Sequence, residues 1–161
     1  MADRHISTTP AMRCLKEAGA SFSLHPYAYE EKGGTATASA ALHVAEHAVI
    51  KTLVMEDDAA APLIVLMHGD CQVSTRTLAR QIGARSVHPC TPQQANKYTG
   101  YVVGGISPFG VRYAMRIYME ASIADLPALY INAGKRGLLM RLSPADLTRV
   151  LQPVFVTVAL P

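Results

Sequence analysis

The sequence lacks any apolar run long enough to cross a membrane, although half of its residues are hydrophobic. Charged residues interrupt the hydrophobic segments throughout, whereas a spanning helix needs about 20 consecutive, predominantly apolar residues. The opening residues, Met1 to Ser7, also lack the apolar centre of a secretory signal peptide. We therefore expect a cytoplasmic protein that does not act in a membrane.

Cysteine is scarce, and the three residues Cys14, Cys71 and Cys90 lie far apart. Their odd number and the absence of a C-x-x-C pair argue against a disulfide framework, a zinc finger and a dithiol redox site. His68 precedes Cys71 by three residues, which would allow a Cys/His nucleophile, but a free cysteine is more often a small buried hydrophobe. We expect reduced thiols without a catalytic role, no metal site and no cofactor.

Basic residues form no run, although 15 lysines and arginines outnumber 12 acidic residues and give a formal net charge of +3. That excess is compatible with a nucleic-acid partner without requiring one. Arg76 and Arg80 are one helical turn apart in a predicted helix. Any larger basic face must be assembled by folding.

The length of 161 residues fits one domain, predicted to span residues 1–161, and no repeat or low-complexity linker divides it. Strand and helix patterns mix without strict alternation. This mixture predicts an α/β fold with a mixed sheet of about six or seven strands and flanking helices. Helix starts are predicted where a hydroxyl residue precedes proline, as at Thr9-Pro10 and Ser143-Pro144.

The segment TGYVVGGISPFG, residues 99–110, is the most unusual stretch of the chain. Tyr101 to Val103 favour a strand, and the glycines that follow favour a tight loop. The amides of Gly104, Gly105 and Ile106 could converge on an oxygen atom or a small anion, although a turn without a ligand would have the same pattern. The spacing excludes a G-x-S-x-G elbow, a dinucleotide fingerprint and a P-loop, so Ser107 is a weak nucleophile candidate.

Lys51 interrupts the apolar segment VIKTLVM, residues 49–55, which is predicted to be a core strand. A lysine in such a strand either extends to an edge or meets a ligand in a cleft, and the pattern alone leaves both open. Tyr27 and Asn132 are each predicted at the end of a strand, where sites are often built.

A formal H-x-x-E-H motif, His43, Glu46 and His47, is the pattern of a zinc hydrolase with glutamate as the general base. The β-branched pair Val49-Ile50 follows at once, so the helix is expected to end near the histidines. A zinc hydrolase therefore remains a remote alternative.

Four segments in the same order resemble the YbaK/ProX family of aminoacyl-tRNA deacylases, relatives of the prolyl-tRNA synthetase editing domain. They are FSLHPY at 22–27, VIKTLV at 49–54, TGYVVGGISPFG at 99–110 and LYINAGKRG at 129–137. The resemblance extends from Thr9 to Val156. It implies a curved, barrel-like α/β fold, an aminoacyl-tRNA substrate, and prolyl-tRNA synthetase as a further candidate partner.

The resemblance also implies roles for particular residues. Lys51 matches the family's active-site lysine, and with Gly104 and Gly105 it forms the predicted catalytic set. The predicted substrate-binding set is Tyr27, Thr52, Ile106, Ser107, Pro108, Asn132, Gly134 and Arg136.

The Gly-Gly-Ile-Ser-Pro form resembles the cysteine-directed branch of the family, so Cys-tRNA(Pro) is the preferred substrate. In the family account for this substrate, the substrate's own thiol attacks its ester and the enzyme orients the groups. Ala133 stands where the family often has glycine, so deacylation of Ala- or Ser-tRNA remains an alternative. A module that binds tRNA or a synthetase without catalysis is a second alternative.

Overall fold

The computed structural model describes residues 6–161 and places most strands in one mixed sheet. Seven strands lie in the order β1-β8-β7-β2-β3-β6-β9, and β5 pairs with β2 outside this path. A separate two-stranded sheet joins β10 to β4. The strands are β1 (Ser23–Pro26), β2 (Val49–Asp57), β3 (Pro62–His68), β4 (Gln72–Val73), β5 (Val87–Pro89), β6 (Arg116–Glu120), β7 (Leu129–Asn132), β8 (Leu138–Leu142), β9 (Val154–Val156) and β10 (Ala159–Leu160).

The described part of the chain contains five α-helices, which begin largely where the sequence predicts caps. Thr9, Ser74, Thr91 and Ser143 each accept a hydrogen bond from a main-chain amide in the first helical turn. The helices are α1 (Pro10–Glu17), α2 (Gly34–Leu42), α3 (Thr75–Ile82), α4 (Pro92–Thr99) and α5 (Pro144–Leu151). None of the helices in residues 6–161 is long and apolar enough to span a bilayer.

The sheet is buried on both faces at its centre. Alternate residues of β3 belong to different apolar clusters: Ile64 and Leu66 to one, and Leu63, Val65 and Met67 to the other. The first cluster includes residues of α1 and α5, and the second includes residues of α3. This two-sided burial explains why β3 is an uninterrupted apolar run rather than an alternating one.

A gap in strand pairing along β2 positions the candidate site. On one side, β2 pairs with β3 along nearly its whole length. On the other side, it pairs with β7 only at Val49 and Ile50, and with β5 only from Met55 to Asp57. Within the described part of the chain, residues 51–53 therefore have a strand partner on one side only.

The mixed α/β class predicted from sequence is confirmed, with three corrections. Within residues 6–161, the main sheet has eight strands instead of six or seven, and it is open, with β1 and β9 at its edges, so it does not close into a barrel. The segment from Tyr101 to Val103 is irregular and forms no strand. Val102 and Val103 are 52% and 45% exposed, so β-propensity there is not supported by burial.

Candidate active site

A cleft of about 580 Å³ opens at the gap in β2 pairing. One wall comes from residues 27–38, which include the start of α2. The other comes from the segment 99–110, which we call the glycine loop, and from the turn between β7 and β8. The cleft brings together six of the eleven residues predicted from sequence: Tyr27, Lys51, Thr52, Gly104, Asn132 and Arg136.

Lys51 lines this cleft from β2. Its side chain is partly buried, and its ammonium group donates a hydrogen bond to the main-chain carbonyl of Cys71. Among residues 6–161, no carboxylate lies within ion-pair distance of this ammonium. The charge is therefore held in place by a neutral acceptor and is not cancelled by an acidic partner.

Thr52 presents polar groups that have no evident internal partner. Its hydroxyl oxygen is buried and, among the described residues, makes no hydrogen bond. Main-chain groups of a strand alternate in direction: the Val49 carbonyl points toward β3, where it accepts from Gly69, and the Val54 carbonyl points the other way, where it accepts from Cys90. The Thr52 amide and carbonyl thus face the unpaired edge of β2 and are available to a ligand.

Gly104 and Gly105 occupy different environments, and only Gly104 lines the cleft. Gly104 has φ +95°, and a β-carbon there would lie 2.6 Å from the hydroxyl of Tyr29. The Gly105 amide donates to the Val102 carbonyl at 2.9 Å, so it is already paired. A β-carbon on Gly105 would lie 2.8 Å from the main-chain nitrogen of Arg136, which means that this glycine allows two turns to pack closely.

Ile106, Ser107, Pro108 and Gly134, for which the sequence predicts a substrate-binding role, are not among the residues that line the cleft. The first three are buried, Ser107 completely, and Ile106 belongs to the larger apolar cluster. Gly134 has φ +94°, and a β-carbon there would come within 2.7 Å of the Tyr101 ring. These residues belong to the packing that supports the loop, because their side chains or turns face the core.

The turn after β7 is fastened to the glycine loop by Arg136. The guanidinium donates to the Val103 carbonyl at 2.9 Å and lies 5.2 Å from the centre of the Tyr29 ring. Asn132 ends β7 beside the same cleft. The glycine loop and the turn after β7 therefore form one wall of the cleft rather than two separate ligand-binding loops.

The segment from Tyr29 to Lys32 was not among the residues predicted from sequence to form the site. Tyr29, Glu30, Glu31 and Lys32 all line the cleft, so this wall carries two carboxylates and a cation. Burial, together with neighbouring Tyr29, raises the pKa of the Tyr27 phenol, so that phenol remains a neutral hydrogen-bonding group at neutral pH. The sequence signal for this wall was the pair of tyrosines two residues apart, beside a strand end.

The H-x-x-E-H motif does not form the site that its pattern predicts. Helix α2 ends at Leu42, and His43 adopts a left-handed conformation as its C-cap. Glu46 and His47 lie in a separate 3₁₀ turn, where Glu46 accepts a hydrogen bond from Thr35. The two histidines are therefore not successive residues on one helical face, which an H-x-x-E-H zinc site requires.

Two of the thiols have pKa values above their ordinary value. Burial raises the pKa of Cys90 to about 11. The pKa of Cys71 is also raised, first by burial and then by the adjacent Asp70. Both are thus mainly protonated at neutral pH, and neither is an activated nucleophile.

Comparison with known proteins identifies the family. Residues 30–150 match the aminoacyl-tRNA editing domain. The chain belongs to this family. The family resemblance and the enzyme class inferred from sequence, an aminoacyl-tRNA hydrolase, are confirmed.

Two curated relatives illustrate the range of this family. EbsC of Enterococcus faecalis, a proposed Cys-tRNA(Pro)/Cys-tRNA(Cys) deacylase, is 26% identical over 137 residues, which are 84% of each chain. The proline–tRNA ligase of Streptococcus equi subsp. equi is 31% identical over 99 residues. That match covers 62% of this chain and only 16% of the ligase, so the editing-type domain is a small part of that enzyme.

The fold itself also occurs in solved structures. The crystal structure of a proposed trans-editing enzyme for prolyl-tRNA synthetase superposes with a TM-score of 0.83 at 18% identity. The match covers 96% of this chain and all of the other one. It establishes a common architecture.

Proposed function

We propose that this protein hydrolyses the ester of mischarged tRNA, with Cys-tRNA(Pro) as its substrate. The observation that carries the proposal is that Lys51, whose ammonium has no acidic partner among the described residues, lines the cleft where β2 has an unpaired edge. An aminoacyl ester offers a carbonyl oxygen and ribose hydroxyls to such groups. A cleft of about 580 Å³ is large enough for an aminoacyl group with part of the terminal nucleotide.

The proposed chemistry uses the substrate's own thiol. Its sulfur attacks the ester carbonyl, a carbon–sulfur bond forms, and the bond to the ribose oxygen breaks. The thiol proton leaves with the released tRNA, and water opens the cyclic thioester to give free cysteine. Lys51 stabilises negative charge on the carbonyl oxygen or positions the terminal ribose, and the Thr52 and Gly104 edges hold the aminoacyl group.

The state of the candidate nucleophiles among the described residues supports this substrate-thiol route, because none of those considered is activated. Ser107 is completely buried, and Cys71 and Cys90 have raised pKa values. Glu30 and Glu31 line the cleft and could instead act as bases toward water. Replacing each with glutamine separates the two routes, because substrate-thiol attack should survive both changes.

The choice of amino acid rests on sequence features and on one relative. The GGISP segment resembles the cysteine-directed branch, and the name of EbsC refers to Cys-tRNA. Ala133, the first residue after β7, is completely buried, so its methyl group acts through packing rather than by narrowing the cleft directly. Alanine and serine therefore remain the competing acyl groups.

We also infer that the protein contacts the tRNA backbone through an arginine groove. Arg76 and Arg80 of α3, together with Arg85, line a groove of about 480 Å³. Within residues 6–161, none of the three forms a salt bridge. The relatives that are proline–tRNA ligases make prolyl-tRNA synthetase a candidate partner in delivering the substrate.

A panel of acylated tRNAs tests the proposal. Cys-, Ala- and Ser-tRNA(Pro) are incubated with the wild-type protein and with Lys51→Ala, and the released amino acid is measured in single turnover. We expect cysteine to be released fastest, and only by the wild type. Release of no amino acid from any of the three would favour a non-catalytic tRNA-binding module, and preferred release of alanine or serine would reassign the substrate.

A further inference from the structure

Three side chains of different ligand type converge outside the chemistry proposed above. They are His47 in the 3₁₀ turn, and Asp70 and Cys71 in the turn after β3, which we call the His47 cluster. The His47 Nδ1 atom lies 2.8 Å from an Asp70 oxygen, and the Cys71 sulfur lies 3.5 Å from the same oxygen. One ligand atom from each residue lies within 4.8 Å of the other two.

Buried contacts fix the two turns that carry this cluster. His68 is 1% exposed, and its ring stacks on His47 at a centroid distance of 3.6 Å. A ring nitrogen of His68 lies 2.6 Å from the His47 carbonyl, and the Gly69 amide donates to the Val49 carbonyl at 2.7 Å. The Cys71 amide closes the second turn by donating to the His68 carbonyl. These contacts hold the two turns together, so the three ligand residues lie close to one another without an ion.

We propose that the His47 cluster binds a divalent transition metal of the zinc type, with water in the fourth position. Imidazole nitrogen, thiolate sulfur and carboxylate oxygen are the ligands that zinc prefers, and such a soft, mixed set does not suit calcium or magnesium. Binding transfers the Cys71 thiol proton to solvent, because the thiolate is the ligand. The carboxylate and thiolate together balance the two positive charges of the ion.

This site differs from the one that the H-x-x-E-H pattern would form. It uses His47 but neither His43 nor Glu46, and its other ligands come from a turn more than 20 residues further along the chain. The half-exposed ring of His47 and carboxylate of Asp70 leave a path for the ion to enter, with 48% and 44% of their side chains exposed.

Metal binding would also reach the catalytic cleft. The carbonyl of Cys71 accepts the hydrogen bond from Lys51, while the sulfur of the same residue would bind the ion. An ion in the cluster therefore restrains the residue that holds the proposed catalytic ammonium. The cluster is connected to the deacylation site through this one residue, whereas metal binding itself does not require deacylase activity.

Cobalt(II) titration tests the proposal, because cobalt substitutes for zinc and a bound thiolate gives it a near-ultraviolet charge-transfer band. The full-length protein, freed of metal with a chelator, should develop this band with one equivalent of Co²⁺, and excess Zn²⁺ should remove it. Cys71→Ser should abolish the band. Asp70→Asn and His47→Ala should each weaken binding by more than the roughly 10- to 100-fold that loss of an outer hydrogen-bond partner costs.

Matched controls come from the same chain. Cys14→Ser and Cys90→Ser leave the cluster intact and should keep the band, and His43→Ala should keep it as well. Circular dichroism establishes that each variant is folded, and the conservative Asp70→Asn change keeps the test informative if His47→Ala unfolds. Failure of the wild-type protein to develop a thiolate band, or persistence of the band in Cys71→Ser, would overturn the proposal.

Discussion

Replacing Thr52 with valine should stabilise the protein and lower its deacylase activity at the same time. The Thr52 hydroxyl is buried without a partner among the described residues, and an unpaired buried polar group costs about 1–3 kcal/mol. Valine has nearly the same shape and no such group, so we expect the free energy of unfolding to rise by about 1 kcal/mol. For a chain of this length, that change raises the melting temperature by roughly 2–4 °C.

The same substitution removes the hydroxyl of a residue that lines the cleft and is predicted to bind substrate. One lost hydrogen bond is worth about 1 kcal/mol, so kcat/KM for Cys-tRNA(Pro) should fall roughly fivefold. Thr99→Val is the matched control, because the Thr99 hydroxyl is paired, with the Ala95 carbonyl at 2.7 Å and the Tyr101 amide at 3.1 Å. We expect Thr99→Val to lower stability by about 1–3 kcal/mol.

Thermal and urea unfolding, followed by single-turnover kinetics, measure both effects. A destabilised Thr52→Val protein would mean that the hydroxyl is satisfied in the folded state. A stabilised variant with wild-type kcat/KM would mean that the hydroxyl is unpaired but not used by the substrate. Either result would refute the part assigned to Thr52.

Three further changes test other parts of the structure. Gly105→Ala places a methyl group 2.8 Å from the main chain at Arg136, so stability should fall by about 1–3 kcal/mol in chemical unfolding, together with activity. Arg80→Glu should weaken tRNA binding several-fold in fluorescence anisotropy and lower the salt dependence of that binding. Arg141→Glu, at an exposed position on β8, should weaken tRNA binding less. Main-chain amides and a neighbouring arginine hold the pKa of Asp57 below its ordinary value. The stabilising contribution of this carboxylate is therefore present at neutral pH and disappears as the pH falls through its folded-state pKa. In acid unfolding experiments, Asp57→Asn should lose less stability over this pH range than the wild type. Unchanged stability of Gly105→Ala, equal tRNA binding by both arginine variants or an unchanged acid limb would count against the respective argument.

Local signals predicted the secondary structure best. Thr9 and Ser143 cap helices as the sequence indicates, because a hydroxyl followed by proline specifies a helix start within a few residues. Tyr101 to Val103 were misassigned because β-propensity cannot anticipate whether a segment finds a strand partner. The irregular conformation there is fixed by contacts distant in sequence, such as the bond from Arg136 to Val103.

The candidate site was predicted only in part, because some of its contacts also join residues that are distant in sequence. Lys51 was conspicuous because a charge inside an apolar strand is rare, and it does line the cleft. Gly105 belongs to the predicted catalytic set; in the structure its amide is paired within its own loop, and the lack of a β-carbon allows close loop packing. Tyr29 gave only a weak local pattern, since its importance comes from two distant contacts, with Gly104 and Arg136.

The central claim is that the Lys51 ammonium drives deacylation, and single-turnover release of cysteine from Cys-tRNA(Pro) by Lys51 variants tests it most directly. We expect Lys51→Ala to lose most of the activity while its melting temperature changes little, because the change removes one bond to a carbonyl and leaves no buried charge unpaired. Lys51→Arg should also be impaired, since a planar guanidinium does not replace a compact ammonium. Release at a rate near that of the wild type by a folded Lys51→Ala protein would contradict the account.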